Sequence, residues 1–299
     1  MNRSSNGVAS SSEVDASPKQ MIEQKLRTRE ATIGLVGLGY VGLPLAVEYA
    51  AAGFSALGFD LDAERVARLN RGDNYNEDLA DDQVARLADD GRLSATTEMS
   101  RMSEADVLFI CVPTPLTDHK DPDTAYIEAA TQTVAQQLRP GQLVVLKSTT
   151  YPGTTEDLVR PILRTEAAKQ GLTLGDDYFL AFSPERIDPG NQTYTTQNTP
   201  VVVGGVTEAC TAVARQALEA IIETVHVVSG PKAAEMEKLL ENIFRSVNIA
   251  LVNELAQLCD RIGGLSMWEV VEAAATKPFG FMPFYPGPGL GGHCIPVDP

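Results

Sequence analysis

Two hydrophobic rhythms alternate along the first three quarters of the chain. Short, almost continuous apolar runs occupy Thr32–Val36, Ser55–Phe59, Val107–Val112, Leu143–Lys147, Phe179–Phe182, Val201–Val203 and Val225–Val228. Their length and β-branched content predict buried strands. Between them, Leu43–Ala52, Thr124–Leu138 and Thr207–Ile222 carry apolar residues every three or four positions and predict helices. Strand followed by helix, repeated, implies an α/β fold with a doubly wound parallel sheet, longer than one mononucleotide-binding unit.

Past Ser229-Gly230-Pro231 the rhythm changes. Pro231 suits the first turn of a helix. From Lys232 to Ile262 there is neither glycine nor proline, and Met236, Leu240, Ile243, Val247, Leu251, Leu255 and Leu258 recur at spacings of three and four. This predicts one helix of about thirty residues, roughly 45 Å long at 1.5 Å per residue. That exceeds the usual globular length and suits a bridge between domains or a subunit interface. Trp268–Ala275 predicts a shorter helix. The aromatic, proline-rich stretch Lys277–Pro286 leads into Gly289-Leu290-Gly291-Gly292-His293-Cys294-Ile295-Pro296-Val297-Asp298-Pro299.

Composition removes several function classes. The chain has 299 residues and a formal net charge of −16, which argues against broad nucleic-acid binding. No run approaches the roughly 18 apolar residues of a membrane span. The 4 cysteines and 3 histidines are scattered without metal-ligand or disulfide-framework spacing. No metal site is expected, and reduced thiols fit a cytoplasmic protein. Residues 1–30 begin with a Ser-, Asn- and Asp-rich stretch without an apolar signal region. They read as a disordered tail, with a helical turn near Met21–Leu26.

The first chemical motif follows the first predicted strand directly: Gly37-Leu38-Gly39-Tyr40-Val41-Gly42, opening a helix. In a strand–turn–helix context this G-x-G-x-x-G pattern binds dinucleotides. Gly37 makes the tight turn, Gly39 lets a pyrophosphate approach the backbone, and Gly42 lets helix pack on strand. Tyr40 and Val41 complete the turn, whose helix N-terminus attracts phosphate. Asp60, ending the second strand, can bind ribose hydroxyls and repel a 2′-phosphate, which favours NAD over NADP. Arg65 is either a partner for a cofactor phosphate or a solvated helix residue. Thr114 and Thr149 sit in loops after two later strands, at the edge where open parallel sheets bind ligands. A third such loop, Ser183–Asn191, carries Glu185 and Arg186 between prolines.

Lys238 and Asn242 lie four apart on one face of the long helix, beside the apolar stripe. Either both donate to a developing oxyanion, or they are a solvated pair. Cys294 stands between a glycine-rich turn and Pro296. It is either a thiol held in one pose for a substrate or an incidental loop residue.

Taken in order, Gly37–Gly42, Cys111-Val112-Pro113-Thr114-Pro115, Lys147-Ser148-Thr149, Ser183-Pro184-Glu185, Glu235–Asn242 and Gly289–Asp298 resemble the nucleotide-sugar 6-dehydrogenases. That superfamily oxidises UDP-glucose, UDP-N-acetylglucosamine or UDP-N-acetylmannosamine. The resemblance runs from Thr32 to Pro299. It implies a Rossmann-like NAD-binding domain over 31–229 and a helical central domain over 230–299, with a homodimer through the long helix. It also implies two successive NAD-dependent oxidations at C6 of a UDP-sugar, supplying surface-polysaccharide precursors. In that chemistry Cys294 is the nucleophile of a thiohemiacetal and then a thioester. Lys238 and Asn242 hold the C6 oxygen, Glu185 belongs to the acid–base machinery, and Asp298 and Thr149 serve the hydrolytic water.

Local wording departs from the UDP-glucose branch, which typically reads Asn-Pro-Glu-Phe-Leu where this chain has Ser183-Pro184-Glu185-Arg186-Ile187. Lys277-Pro278-Phe279-Gly280 and the Pro-Gly-Pro-Gly before the cysteine loop resemble the UDP-N-acetylglucosamine enzymes more closely. Members of the family carry a further C-terminal domain that binds much of the UDP, and this sequence stops one residue after Asp298. The expectation is NAD binding with weak UDP-sugar binding and little turnover. A non-catalytic NAD-binding fragment and a simple hydroxyacid dehydrogenase, which needs no cysteine, stand as alternatives.

Overall fold

The computed structural model describes residues 16–117, 119–186, 193–289 and 291. Its centre is one 8-stranded sheet in the order β3-β2-β1-β4-β5-β6-β7-β8. The strands are β1 (Thr32–Val36), β2 (Ser55–Phe59), β3 (Leu93–Thr96), β4 (Val107–Ile110), β5 (Leu143–Leu146), β6 (Phe179–Phe182), β7 (Val201–Gly205) and β8 (Val225–Val227). The chain winds outward from β1 to one edge, then returns through β4 to the other. The carboxyl ends of β1 and β4 thus flank the crevice where such sheets bind ligands.

Both faces of the sheet are covered, which is why its strands read as unbroken apolar runs. Phe109, Val145, Phe179 and Val203 join one buried cluster with α2 (Gly42–Ala51) and α7 (Glu208–Glu219). Ile110, Val144, Leu146 and Phe182 join another with α5 (Ala125–Gln136) and α6 (Arg160–Lys169). Tyr49, fully buried between Phe54 and Phe109, hydrogen-bonds the Ala217 carbonyl at 2.9 Å and so ties α2 to α7 across the first face.

The doubly wound, largely parallel sheet forms as expected, with one reversal. Pairs from β3 through β6 are parallel, but β7 runs antiparallel to β6, and β8 is parallel to β7. Overlap between β6 and β7 is limited to Ala181↔Gly205 and Phe182↔Gly204, so most of β7 extends past the carboxyl end of β6, where it pairs with β8. A Cβ on Gly204 would lie 2.2 Å from the Gly230 carbonyl oxygen, so this glycine lets the turn into the long helix cross the strand directly.

The expected disordered tail is corrected where the structure describes it. Pro18–Thr28 form α1, started by a reciprocal Ser17/Gln20 capping box with Pro18 in the first turn. Ile22 and Leu26 bury one side of it. Lys25 pairs with Asp106 at 2.8 Å, and Gln216 donates to the Glu23 carbonyl. These contacts reach far along the chain, so a local reading of composition misses them. Helices α3 (Ala63–Asn70) and α4 (Asp81–Asp89) also went unread, because their apolar faces are only two residues wide.

The long helix forms as its periodicity predicts. It is α8, Pro231–Ile262, and α9 (Met267–Ala275) folds back on it through Val252, Met267 and Val271. Much of its apolar stripe faces outward, including Leu240, Val247, Leu251, Leu258 and Ile262.

Candidate functional site

The glycine turn is built as its sequence requires. Gly37 has φ +94, a conformation side chains rarely adopt, and its N–H reaches the Phe59 carbonyl at 2.8 Å. A Cβ on Gly42 would sit 1.9 Å from the Gly37 carbonyl oxygen, so only glycine lets α2 close onto the turn. A Cβ on Gly39 would meet nothing within 4 Å. The backbone is therefore open on that side, beside a helix end whose first N–H groups lack intrahelical acceptors. These residues fit a dinucleotide pyrophosphate.

Asp60 closes the turn from the end of β2. Its carboxylate accepts the N–H groups of Leu38 and Asp62, each at 2.9 Å, and Arg65 Nη1 at 2.9 Å. Burial opposes its ionisation, but the two N–H bonds and the guanidinium outweigh it and hold the carboxyl below its usual range. Arg65 is thus engaged with Asp60, and it lies over the Tyr75 ring beside Arg68. Tyr75 in turn hydrogen-bonds the Leu38 carbonyl at 3.0 Å. Tyr40 is exposed at the lip of the turn.

The loops after β4 and β5 meet. Thr114 Oγ1 donates to the Thr149 carbonyl at 2.8 Å, and Ser148 Oγ to the Val112 carbonyl at 2.7 Å. Cys111, at the end of β4, is buried, and burial pushes its thiol up to about 12. It is a packing residue rather than a reactive thiolate. Lys147 is almost completely buried at the end of β5, with its ammonium 3.4 Å from the Pro184 carbonyl oxygen and 3.5 Å from Glu185 Oε2. The loop after β5 is thereby joined to the one carrying Glu185.

Helix α8 is fastened to both loops. Glu235, in its first turns, is fully buried and accepts Gly153 N–H at 2.6 Å, Thr155 N–H at 2.8 Å and Thr155 Oγ1 at 2.7 Å. It caps the π-helical turn Thr154–Val159 that starts just past Thr149. Further along, Arg186 binds the carboxylates of Glu237 and Glu241. Asn242 is buried and Lys238 is half-buried, one turn apart on the helix that these contacts hold against the sheet.

The structure thus gathers Thr114, Thr149, Glu185 and the Lys238/Asn242 segment around the carboxyl ends of β4, β5 and β6, near the glycine turn. Cys294 and Asp298 lie outside the described residues. Sequence reading missed Glu235, Lys147 and Arg186 as organisers. Among the described residues no group of three or more His, Cys, Asp or Glu could hold a metal, and no helix is long and apolar enough to cross a membrane.

This fold and turn define a dinucleotide-binding α/β protein with an appended helical segment. The chain belongs to the UDP-glucose/GDP-mannose dehydrogenase family. The profile of that family's NAD binding domain matches residues 31–226, and the profile of its central domain matches 232–299. A UDP-N-acetyl-D-glucosamine 6-dehydrogenase of Pseudomonas aeruginosa is 38% identical over 272 residues, 91% of this chain and 62% of its own length. A UDP-N-acetyl-D-mannosamine dehydrogenase of Salmonella typhi is 39% identical over 277 residues, 90% of this chain and 64% of its own. The solved structure of a UDP-D-ManNAc dehydrogenase from Pyrococcus horikoshii superposes with a TM-score of 0.81 at 35% identity, over 89% of this chain and 62% of that one. The chain therefore spans somewhat under two thirds of these relatives.

Proposed function

We propose that this chain carries the NAD-binding and catalytic parts of a cytoplasmic enzyme that oxidises C6 of a UDP-N-acetylhexosamine twice, from alcohol to carboxylate. The observation that carries the reading is the convergence of three β-strand loops and one buried face of α8 beside an open glycine turn. NAD+, held by the glycine turn and Asp60, would supply the oxidant for both two-electron steps.

Gly39 and the start of α2 would hold the pyrophosphate, and Asp60 would accept from the adenosine ribose hydroxyls. Lys238 and Asn242 donate to the C6 oxygen as it gains negative charge. Glu185 takes the hydroxyl proton as the first hydride leaves, giving an aldehyde. The thiolate of Cys294 adds to that aldehyde, and the resulting thiohemiacetal loses a second hydride to become a thioester. Water, oriented by Thr149 and Asp298, cleaves the thioester, releasing the carboxylate and restoring the thiol. Covalent capture keeps the aldehyde on the protein while spent cofactor exchanges.

Relatives named for UDP-N-acetylglucosamine and UDP-N-acetylmannosamine match almost equally well, at 38% and 39%. The support reaches acetamido sugars as a class, with the gluco epimer favoured by the loop wording. The outward apolar stripe of α8 supports a homodimer, since self-pairing would cover it. The test is NADH yield from a panel of UDP-sugars. Two NADH per sugar, abolished by Cys294→Ser, is the expected result, and full activity of Cys294→Ser would favour a simple hydroxyacid dehydrogenase.

A further inference from the structure

Each residue proposed for catalysis around α8 has a charged neighbour in sequence, and those neighbours bind one another. Arg186 follows Glu185, Glu237 precedes Lys238, and Glu241 precedes Asn242. The Arg186 guanidinium donates from Nη2 to both Glu237 Oε1 and Glu241 Oε1, the latter at 2.7 Å, while Nη1 reaches the Pro200 carbonyl at 2.8 Å. One planar fork thus joins three pieces of backbone: the loop after β6, the entry to β7 and two successive turns of α8. Both partners of the tighter pair are well covered, with Arg186 and Glu237 side chains 19% and 23% exposed.

We propose that Arg186 is a positioning residue, which sets the Glu185 loop at a fixed separation from the Lys238/Asn242 face of α8. The proposal rests on the function proposed above, because those three residues are the ones it would align.

The physical case is geometric. Glu237 and Glu241 are four apart on a helix, where like charges repel. Burial pushes the Glu241 carboxyl above its usual range and Glu237 adds to this, while Arg186 and Lys238 oppose it. A cation between the two carboxylates relieves that repulsion, and Arg186, which pairs with both, belongs to the same loop as Glu185. A lysine could neutralise one carboxylate, but its three donors sit on one nitrogen and lack the span of a fork that holds two carboxylates through Nη2 and a carbonyl through Nη1. Misplacing a reacting group by about 1 Å can cost on the order of 100-fold in rate. The expected effect of losing the fork is of that order.

The experiment compares unaltered protein, Arg186→Gln and Arg186→Lys, each expressed from the whole reading frame. It measures kcat with UDP-N-acetylglucosamine, KM and dissociation constant for NAD, thermal midpoint, and amide exchange at residues 183–186 and 235–242. Support is a 30- to 100-fold fall in kcat for Arg186→Gln with NAD affinity within two-fold, faster exchange in both segments, and only partial recovery in Arg186→Lys. A kcat within two-fold of the unaltered protein overturns the proposal. So does a parallel loss of NAD binding and thermal midpoint, which would mark Arg186 as a general fold contact. If the unaltered protein produces no NADH from any UDP-sugar, the proposed function fails by itself. The alignment is then judged by exchange alone: faster exchange in both segments upholds it, and unchanged exchange refutes it.

Discussion

Glu235 Oε2 accepts the backbone N–H of Gly153 at 2.6 Å, joining the first turns of α8 to the loop that carries Thr149, 82 positions away in sequence. The other carboxylate oxygen takes both donors of Thr155. Three donors converge on one fully buried acid, so glutamine cannot replace it quietly. Its amide group would set N–H against N–H at either Gly153 or Thr155. Glu235→Gln is expected to lower stability by about 2–3 kcal/mol, the cost of buried polar groups left unmatched. The urea midpoint, with the slope unchanged, is the check.

The glycine turn yields a paired prediction. Gly42→Ala places a methyl 1.9 Å from the Gly37 oxygen, so fold and NAD affinity should fall together. Gly39→Ala meets nothing within 4 Å and needs no unusual backbone angle, so stability should hold or rise by up to about 1 kcal/mol. NAD affinity should nevertheless drop tenfold or more, because the methyl occupies the space given to the pyrophosphate. Calorimetric titration beside a melting curve separates the two. Unchanged NAD affinity in Gly39→Ala would place the pyrophosphate elsewhere.

Acid should loosen α1 only once pH falls below the ordinary carboxyl range. Asp106 receives Lys25 at 2.8 Å, Arg139 at 2.9 Å and the Thr32 N–H at 3.0 Å. Burial opposes its charge, but these three partners outweigh burial and depress the carboxyl below its ordinary value. The folded state thus binds this proton less readily than the unfolded chain. The stabilisation is present above the unfolded carboxyl range near 4 and is lost as pH falls through the depressed value. Asp106→Asn should remove about 1–3 kcal/mol at neutral pH and flatten the stability profile between about pH 5 and 2. Denaturant midpoints across that range test it.

The apolar stripe of α8 gives a prediction about assembly. Leu240 is 61% exposed, Val247 59% and Leu251 52%, all on one helix. A contiguous patch of this kind is rare on a monomer's surface. If two copies pair through it, Val247→Asp should halve the mass seen by light scattering and leave NAD affinity unchanged. An unaltered protein that is monomeric at micromolar concentration would refute the pairing.

Strands with both faces buried announced themselves, because β4, β5 and β6 contain almost nothing but apolar residues. The glycine turn was equally plain, since its chemistry is local: each glycine answers a constraint set within a few residues. Contacts between distant segments were not legible. Nothing near Asp106 in sequence foretells Lys25, and nothing near Glu235 foretells Gly153. The reversed β7 was hidden for a similar reason, because Val201–Val203 reads as a buried strand whichever way it runs. Lys238, Asn242 and Cys294 stood out by spacing and turn chemistry and took their roles from family resemblance, whereas the acids and arginine that hold α8 in place emerged only from three-dimensional contacts.

The close approach of Gly204 to Gly230 has a mechanical consequence. The entry to α8 is pressed on β7, and Glu235 and Arg186 grip the next turns, so the first dozen residues of the helix are tied to the sheet. The remaining stretch to Ile262 is about 20 residues, or roughly 30 Å at 1.5 Å per residue. A pivot of that stretch would have its fulcrum beside Asn242, where the ties to the sheet end. A tilt of about 5° there would sweep the far end, with α9 attached, through roughly 2.6 Å over that length. Motion small enough to leave the nucleotide crevice undisturbed would still be felt at the distal end as a full atomic displacement.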